Sequence, residues 1–178
     1  MRLKRAVRTA RLEAAVVFCV ARTGTRTEGR TAEEKEDPMA EEYAGDISSR
    51  DAWEILADDP RAVLVDVRTD AEWRYVGLPD LTPVDKQTVC VCWQTYPNLQ
   101  INPRFVEEVE GQGVSPDATV LLLCRSGQRS RYAAIALTAR GYGRCYNVAD
   151  GFEGPHDPER HRGTRTGWKA AGLPWRQE

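Results

Sequence analysis

Seven consecutive residues combine a cysteine with groups that could activate it: Cys124-Arg125-Ser126-Gly127-Gln128-Arg129-Ser130. They lie between an apolar run at 120–123 and an alanine-rich helical stretch at 132–140. A buried strand that ends on a cysteine and continues as a helix places the sulfur at a helix N-terminus. Unpaired N–H groups and the positive end of the helix dipole favour a thiolate there. The pattern predicts that Cys124 is a nucleophile acting on an anionic substrate.

The residues after Cys124 could bind an anion through both backbone and side chains. Gly127 permits backbone conformations closed to other residues, so successive N–H groups could turn inward as an anion-binding nest. Arg125 and Arg129 offer forked donors suited to oxyanions such as sulfonate or phosphate. The remaining loop residues are small or polar and could donate further hydrogen bonds: Ser126, Gln128 and Ser130.

Helix and strand patterns alternate from Ile47 onward. A continuous β-branched run predicts a strand at 62–67, and we predict further strands at 88–93, 119–123 and 145–148. Capping residues and glycine or proline stops predict helices at 48–57, after Asp70, after Asn102-Pro103, at 130–140 and at 168–171. This alternation indicates an α/β fold with a mostly parallel central sheet and helices on both faces. Ligands of such sheets bind beyond the carboxyl ends of the strands, where Cys124 follows its strand directly.

The composition is that of an ordinary globular protein. The chain has 178 residues, 41% of them hydrophobic and 29% charged, enough for one domain with a substantial core. A net charge of −2 argues against non-specific nucleic-acid binding, and we expect neither a nucleic-acid nor a membrane partner. Five cysteines at irregular positions form no disulfide framework. They favour a reducing compartment, so we predict a cytoplasmic protein.

Residues 1–44 differ from the rest and form an N-terminal extension. The first 38 residues carry a net charge of +3 and only one short apolar stretch, Ala14 to Ala21. Two functional interpretations are a secretory signal peptide and an arginine-rich transit-like segment. The apolar stretch is at the short end for a signal peptide, and no small-x-small cleavage site follows it cleanly. It is too short to span a bilayer. We favour a disordered extension or an over-called start with Met39 as the true initiator, because the segment could not bury a core.

Five short segments occur in a fixed order along the chain: Asp66-Val67-Arg68, Glu72-Trp73, the Cys124–Ser130 loop, Asn147–Gly154 and Gly167–Pro174. Together they resemble the single-domain rhodaneses over about residues 45–176. The loop alone is only moderately specific for this family, whereas all five segments in the family's order make the resemblance strong. The resemblance implies a rhodanese-like domain at 45–178.

The resemblance also implies sulfur transfer by two successive displacements. Cys124 would attack thiosulfate or a persulfide donor and carry the sulfur as a persulfide, and a thiol, cyanide or a protein would then accept it. Arg125 and Arg129 would bind the sulfonate of this small anionic donor. Asp66 and Arg68 match family positions near the loop, which we expect them to hold by an ion pair. The route requires no metal or organic cofactor.

Two segments depart from the family pattern. Many rhodaneses carry a Gly-His-Ile-Pro-Gly-Ala stretch after the Glu-Trp segment, whereas this chain has Val76-Gly77-Leu78-Pro79-Asp80 without a histidine. The segment from Trp93 to Pro103 also looks longer than the usual short connection. Both differences leave the loop chemistry intact and concern the surface that would receive the sulfur.

Other functions compete with the sulfurtransferase hypothesis. A phosphatase or arsenate reductase of the same fold would need a larger loop, with its arginine at the position of Ser130. A non-catalytic binding or regulatory module of this fold often lacks the nucleophile, which is present here. Cys90 and Cys92 could resolve a persulfide as a disulfide, but two strand residues packed on a helix explain them more simply. His156 and His161 have no neighbouring cysteine pair, so we predict no zinc site.

Overall fold

The computed structural model describes residues 43–177, so the predictions for residues 1–42 of the N-terminal extension lie outside the described residues, whereas Ala44 at its end donates its N–H to the Cys145 carbonyl. Nine strands are β1 (Gly45–Ile47), β2 (Val63–Asp66), β3 (Leu78–Pro79), β4 (Val89–Cys90), β5 (Gln94–Thr95), β6 (Gln100–Ile101), β7 (Val120–Leu123), β8 (Cys145–Val148) and β9 (Trp175–Arg176). Four α-helices are α1 (Ser49–Asp58), α2 (Asp70–Val76), α3 (Phe105–Gly111) and α4 (Gln128–Ala139). A single 3-10 turn covers Thr82–Val84 in this part of the chain.

The central sheet is parallel, with strand order β1-β8-β7-β2-β4. Asp66 at the end of β2 lies opposite Leu123 at the end of β7, and Leu123 in turn lies opposite Val148 at the end of β8. The carboxyl ends of three central strands therefore meet at one edge of the sheet. Because Cys124 follows Leu123, this register places the cysteine at the edge where ligands of parallel sheets bind.

Helices cover both faces of the sheet, as the sequence predicts. On one face α3 and α4 pack on the sheet through buried side chains such as Phe105, Val109 and Leu137. On the other face α1 contributes Ala52 and Leu56 to a cluster with Leu64, Leu121 and Trp168. The strands β2 and β7 are apolar on both faces because both faces are covered. The predicted α/β architecture is therefore confirmed.

Three local predictions need correction. Residues 168–171 form hydrogen-bonded turns and not a helix: the Ala171 N–H donates to the Gly167 carbonyl four residues back, but Gly172, with φ +71, then ends the turn. Helix α4 begins at Gln128, so the turn from Cys124 into the helix is tighter than predicted.

The predicted strand at 88–93 is regular only over Val89–Cys90, and the chain then continues into an antiparallel β5/β6 hairpin. This hairpin occupies most of the long 93–103 segment, and its Tyr96–Pro97 peptide bond is cis. None of the helices within residues 43–177 combines the length and apolar character needed to cross a bilayer.

Candidate functional site

Cys124 lies directly between the end of β7 and the loop that leads into α4. Its side chain is only 1% exposed, although no strand or helix includes it. Val120–Leu123 are buried between the two helical layers, so the strand fixes the backbone position from which the Cys124 side chain extends. The strand–loop–helix arrangement predicted from the sequence is present, and it places the cysteine just before the amino end of a twelve-residue helix.

The backbone N–H groups of residues 125–130 have no protein acceptor within the described part of the chain. They include the first turn of α4, whose N–H groups have no partner inside the helix. Gly127 is the N-cap residue, with φ +86, and no side chain caps the helix there. The loop therefore leaves several backbone donors available near Cys124, which is the arrangement that an anion-binding nest needs.

A second loop holds the backbone of the first. The Phe152 N–H donates to the Cys124 carbonyl at 2.8 Å, and the N–H groups of Glu153 and Gly154 donate to the Arg125 carbonyl at 3.0 and 3.1 Å. At Gly127 a Cβ would overlap the carbonyl oxygen of Ala149. Glycine is thus required at this position both for its positive φ and for the close approach of the two loops.

Ser130 connects the cysteine to a chain of polar groups. Its Oγ lies 3.1 Å from the sulfur of Cys124 and donates to Oδ1 of Asn147 at 2.6 Å. Nδ2 of Asn147 donates to Asp46 at 2.8 Å, and the hydroxyl of Tyr43 donates to the same carboxylate oxygen at 2.7 Å. Ser130 and Asn147 are buried, so these bonds fix the hydroxyl beside the sulfur. Sequence reasoning predicted a binding role for Ser130 and included Asn147 in a family segment without a role, and it did not identify Asp46.

Asp66 and Arg68 form a fully buried ion pair, with 2.6 Å between Nη2 and Oδ2. Nη2 of Arg68 also donates to the Gly77 carbonyl at 2.7 Å, and its guanidinium lies 4.0 Å from the centre of the Phe152 ring. Because the N–H of Phe152 holds the Cys124 carbonyl, this pair reaches the loop through Phe152. The geometry agrees with a supporting role for both residues.

Arg129 is bound to Glu72 and not free in the loop. Its two terminal nitrogens donate to the two carboxylate oxygens at 2.7 Å each. Burial by itself would raise the pKa of Glu72, but hydrogen bonds from Arg129 and Thr69 lower it to about 2. Thr69 holds Glu72 in the capping box of α2. Arg125, in contrast, is exposed and has no salt bridge among residues 43–177.

A cavity of about 480 Å³ lies over the loop. Its walls are formed by twelve residues: Thr69, Ala71, Glu72, Val76, Gln94, Tyr96, Leu99, Arg125, Gln128, Arg129, Glu153 and Arg162. The cavity thus joins the loop to α2 and to the β5/β6 hairpin. The sequence identified the 93–103 segment as unusual but could not place it beside the loop.

Cys90, Cys92 and Cys145 lie outside the Cys124 loop, and burial raises the pKa of each of them. Burial raises the pKa of Cys90 to about 12 and, together with the nearby Asp66 carboxylate, keeps it a thiol. Burial also raises the pKa of Cys92, and it raises that of Cys145 to about 11. The four cysteines within residues 43–177 form no disulfide with one another. Within the same range no cluster of His, Cys, Asp and Glu is suited to hold a metal ion.

Comparisons with known proteins bear on these features. A family model described as the STR4 middle domain matches residues 44–178. The crystal structure of Rv0390 from M. tuberculosis is 51% identical, with a TM-score of 0.71, and the match covers 76% of this chain and 99% of that chain. An uncharacterised protein of Rickettsia conorii is 39% identical over 129 residues, which are 72% of this chain and 94% of that protein. A protein of Allochromatium vinosum named sulfurtransferase is 31% identical over 107 residues, which are 60% of this chain and 83% of its own length.

This chain belongs to the rhodanese-like family. The family resemblance seen in the sequence motifs is therefore confirmed. In this rhodanese-like domain the structure brings together Cys124, the loop 125–130 and the supporting pair Asp66–Arg68. The roles of the individual residues stay predictions.

Proposed function

We propose that this protein is a sulfurtransferase that carries a sulfane sulfur on Cys124. The observation that carries the proposal is the position of this sulfur: it is buried, at the end of a parallel strand, beside backbone N–H groups that have no acceptor among residues 43–177. A persulfide is an anion that such donors would stabilise. The sulfurtransferase name of the Allochromatium relative supports the same activity.

The reaction proceeds in two displacements. The Cys124 thiolate attacks the outer sulfur of thiosulfate, the bond between the two sulfurs of thiosulfate breaks, and sulfite leaves with the electron pair. The Cys124 persulfide then gives its outer sulfur to a second nucleophile, and Cys124 leaves as a thiolate. A persulfide donor reacts in the same way and releases a thiol. Neither step needs an external oxidant or reductant.

The side chains around Cys124 have different roles in this reaction. Arg125 is exposed beside the cavity and without a salt bridge in the described chain, so it is well placed to bind the sulfonate. Arg129 contributes less to binding, because both of its terminal nitrogens are engaged by Glu72. The Ser130 hydroxyl oxygen lies 3.1 Å from the sulfur, within hydrogen-bond reach of a persulfide on Cys124. Asp66 and Arg68 position the loop.

Intact mass spectrometry tests this function. After incubation with thiosulfate the wild-type protein should gain about 32 Da, the mass of one sulfur atom, and Cys124→Ser should gain nothing. Cys92→Ser is the matched control, since Cys92 is a half-buried thiol outside the loop, and it should load like the wild type. A wild type that gains no mass from thiosulfate or from an organic persulfide would refute the proposal. Hydrolysis of an aryl phosphate would instead indicate the phosphatase alternative, and neither reaction would indicate a binding module.

A further inference from the structure

Four polar side chains connect the surface of the domain to the sulfur of Cys124. The hydroxyl of Tyr43 and Nδ2 of Asn147 both donate to Oδ1 of Asp46, at 2.7 and 2.8 Å. Oδ1 of Asn147 accepts from the Ser130 hydroxyl at 2.6 Å, and the oxygen of that hydroxyl lies 3.1 Å from the sulfur. Asp46 is exposed on β1, whereas Asn147 on β8 and Ser130 on α4 are buried. The sulfur therefore contacts a polar chain that begins at the protein surface.

The carboxylate of Asp46 fixes the direction of the hydrogen bonds in this chain. An ionised carboxylate only accepts hydrogen bonds, so the amide nitrogen of Asn147 must face it. The amide oxygen of Asn147 then faces Ser130, and an amide oxygen also only accepts. A hydroxyl has a single hydrogen, and that of Ser130 is therefore directed at Asn147 and not at the sulfur.

The Ser130 hydroxyl consequently presents a lone pair to the sulfur of Cys124. A lone pair can accept the hydrogen of a neutral thiol, whereas a thiolate is stabilised only by donors. The separation of 3.1 Å is within hydrogen-bond reach of the thiol hydrogen. Ser130 therefore favours the thiol form of Cys124, in opposition to the loop N–H groups, which favour the thiolate.

We infer that Asp46 and Asn147 are positioning residues that hold the Ser130 hydrogen away from Cys124 and so restrain thiolate formation in the unloaded protein. The inference rests on the proposed role of Cys124 as the nucleophile. Neither residue has a hydrogen bond to the sulfur within residues 43–177, and both act through Ser130. The restraint protects the site, because a thiolate reacts with electrophiles far faster than a thiol does.

The substitution Asp46→Asn removes the group that fixes the direction of the chain. An asparagine at this position can donate to Oδ1 of Asn147, and the Tyr43 hydroxyl can accept its other amide hydrogen. The amide of Asn147 then turns, so that Nδ2 donates to Ser130. The Ser130 hydrogen is released toward the sulfur, where it stabilises the anion. Because the two side chains have nearly the same shape, the substitution changes hydrogen-bond direction rather than packing.

Alkylation by iodoacetamide measures the thiolate fraction of Cys124 as a function of pH. The reagent is neutral, so the loss of the Asp46 charge does not alter its approach. The chain holds five cysteines, and the modification is therefore followed by mass spectrometry on the peptide that carries Cys124. Asp46→Asn should lower the pH midpoint of alkylation by about 0.5–1 unit and raise the rate below that midpoint about two- to threefold. The limiting rate at high pH should not rise, whereas a variant that merely exposes the sulfur would raise it.

The variant Ser130→Ala separates the hydrogen-bonded chain from the loss of a negative charge. Removal of the Asp46 charge would by itself favour a nearby thiolate, with or without a hydroxyl at position 130. In the Ser130→Ala background, Asp46→Asn should therefore leave the midpoint unchanged. The other charged groups around the sulfur and Tyr43 are the same in every variant, and their effect cancels in the comparison; they are Arg125, Arg129 with Glu72, the Asp66–Arg68 pair and Arg131.

The outcomes test this inference separately from the sulfurtransferase function. A midpoint that stays in place or rises in Asp46→Asn overturns the inference. An equal shift with and without the Ser130 hydroxyl also overturns it, because the charge of Asp46 would then act through space. Asp46→Ala, which also frees the amide of Asn147 to turn, should shift the midpoint in the same direction as Asp46→Asn. A wild type that never gains sulfur from thiosulfate refutes the sulfurtransferase function, while alkylation of Cys124 still tests the role of Asp46 and Asn147.

Discussion

The ion pair between Glu72 and Arg129 predicts a measurable dependence of stability on pH. The substitution Glu72→Gln removes the charge but keeps the length of the side chain and an oxygen for the capping box with Thr69. It leaves the two terminal nitrogens of Arg129 without their charged acceptor. We expect the variant to be less stable than the wild type at neutral pH, and the difference to shrink in acid.

The magnitude follows from the lowered pKa of Glu72. Burial opposes the shift, but the hydrogen bonds from Arg129 and Thr69 lower the pKa from 4.5 to about 2. At about 1.4 kcal/mol per pKa unit, the upper limit is about 3 kcal/mol. The Glu72 side chain is 19% exposed, so solvent screening reduces the expected contribution to the free energy of unfolding to about 1–2 kcal/mol.

The sign is that of a carboxylate with a depressed pKa. Its contribution is fully present above the unfolded pKa near 4.5 and is lost as the pH falls toward the folded value of about 2. About half should be lost by roughly pH 3.3. Urea unfolding of wild type and Glu72→Gln between pH 7 and pH 3.5 measures this directly, and a double-mutant cycle with Arg129→Gln isolates the coupling between the two side chains.

An exposed pair supplies the matched control. Arg104 and Glu108 lie 3.4 Å apart on α3, but their side chains are 74% and 38% exposed. Their coupling energy should be no more than about 0.5 kcal/mol. The reasoning is refuted if the Glu72–Arg129 coupling is no larger than that of the control pair. It is also refuted if the loss from Glu72→Gln is the same at pH 7 and pH 3.5.

Two further substitutions test the support of the loop. Gly127→Ala should lower the free energy of unfolding by at least about 2 kcal/mol and abolish the persulfide mass gain, because a Cβ would overlap Ala149. The control Gly141→Ala, with φ +99 and open space, should lower it by only about 1 kcal/mol and load sulfur normally. Equal losses of stability in the two variants would contradict this. Asp66→Asn should lower the free energy of unfolding, measured with urea, by about 3–5 kcal/mol, because it leaves the buried Arg68 charge unpaired. Adding Arg68→Met should recover part of this loss. A double variant as unstable as the single one would count against this account.

Local patterns predicted most of the central fold. The apolar runs predicted the strands β2 and β7, because buried parallel strands are continuously apolar and short, and β8 was also predicted at its observed bounds. The sequence missed β1, which has only three residues and lies at the edge of the sheet. It also predicted a helix at 168–171, where a single hydrogen-bonded turn forms and ends at Gly172, with φ +71. A segment this short makes too few intrahelical bonds for its local pattern to decide between a helix and a turn.

The Cys124 loop, too, could be predicted only in part from the sequence. By itself the sequence determined that Cys124 lies at the carboxyl edge of the sheet and that Gly127 suits the turn after it, because strand, turn and helix signals are adjacent in the chain; it also predicted Cys124 as the nucleophile. Only the tertiary structure decided that Arg129 is held by Glu72 while Arg125 stays unpaired, that Ser130 leads to Asn147, and that the β5/β6 hairpin walls the cavity. These contacts join residues far apart in sequence, and their energies depend on distance and burial, which residue types and spacing alone do not specify.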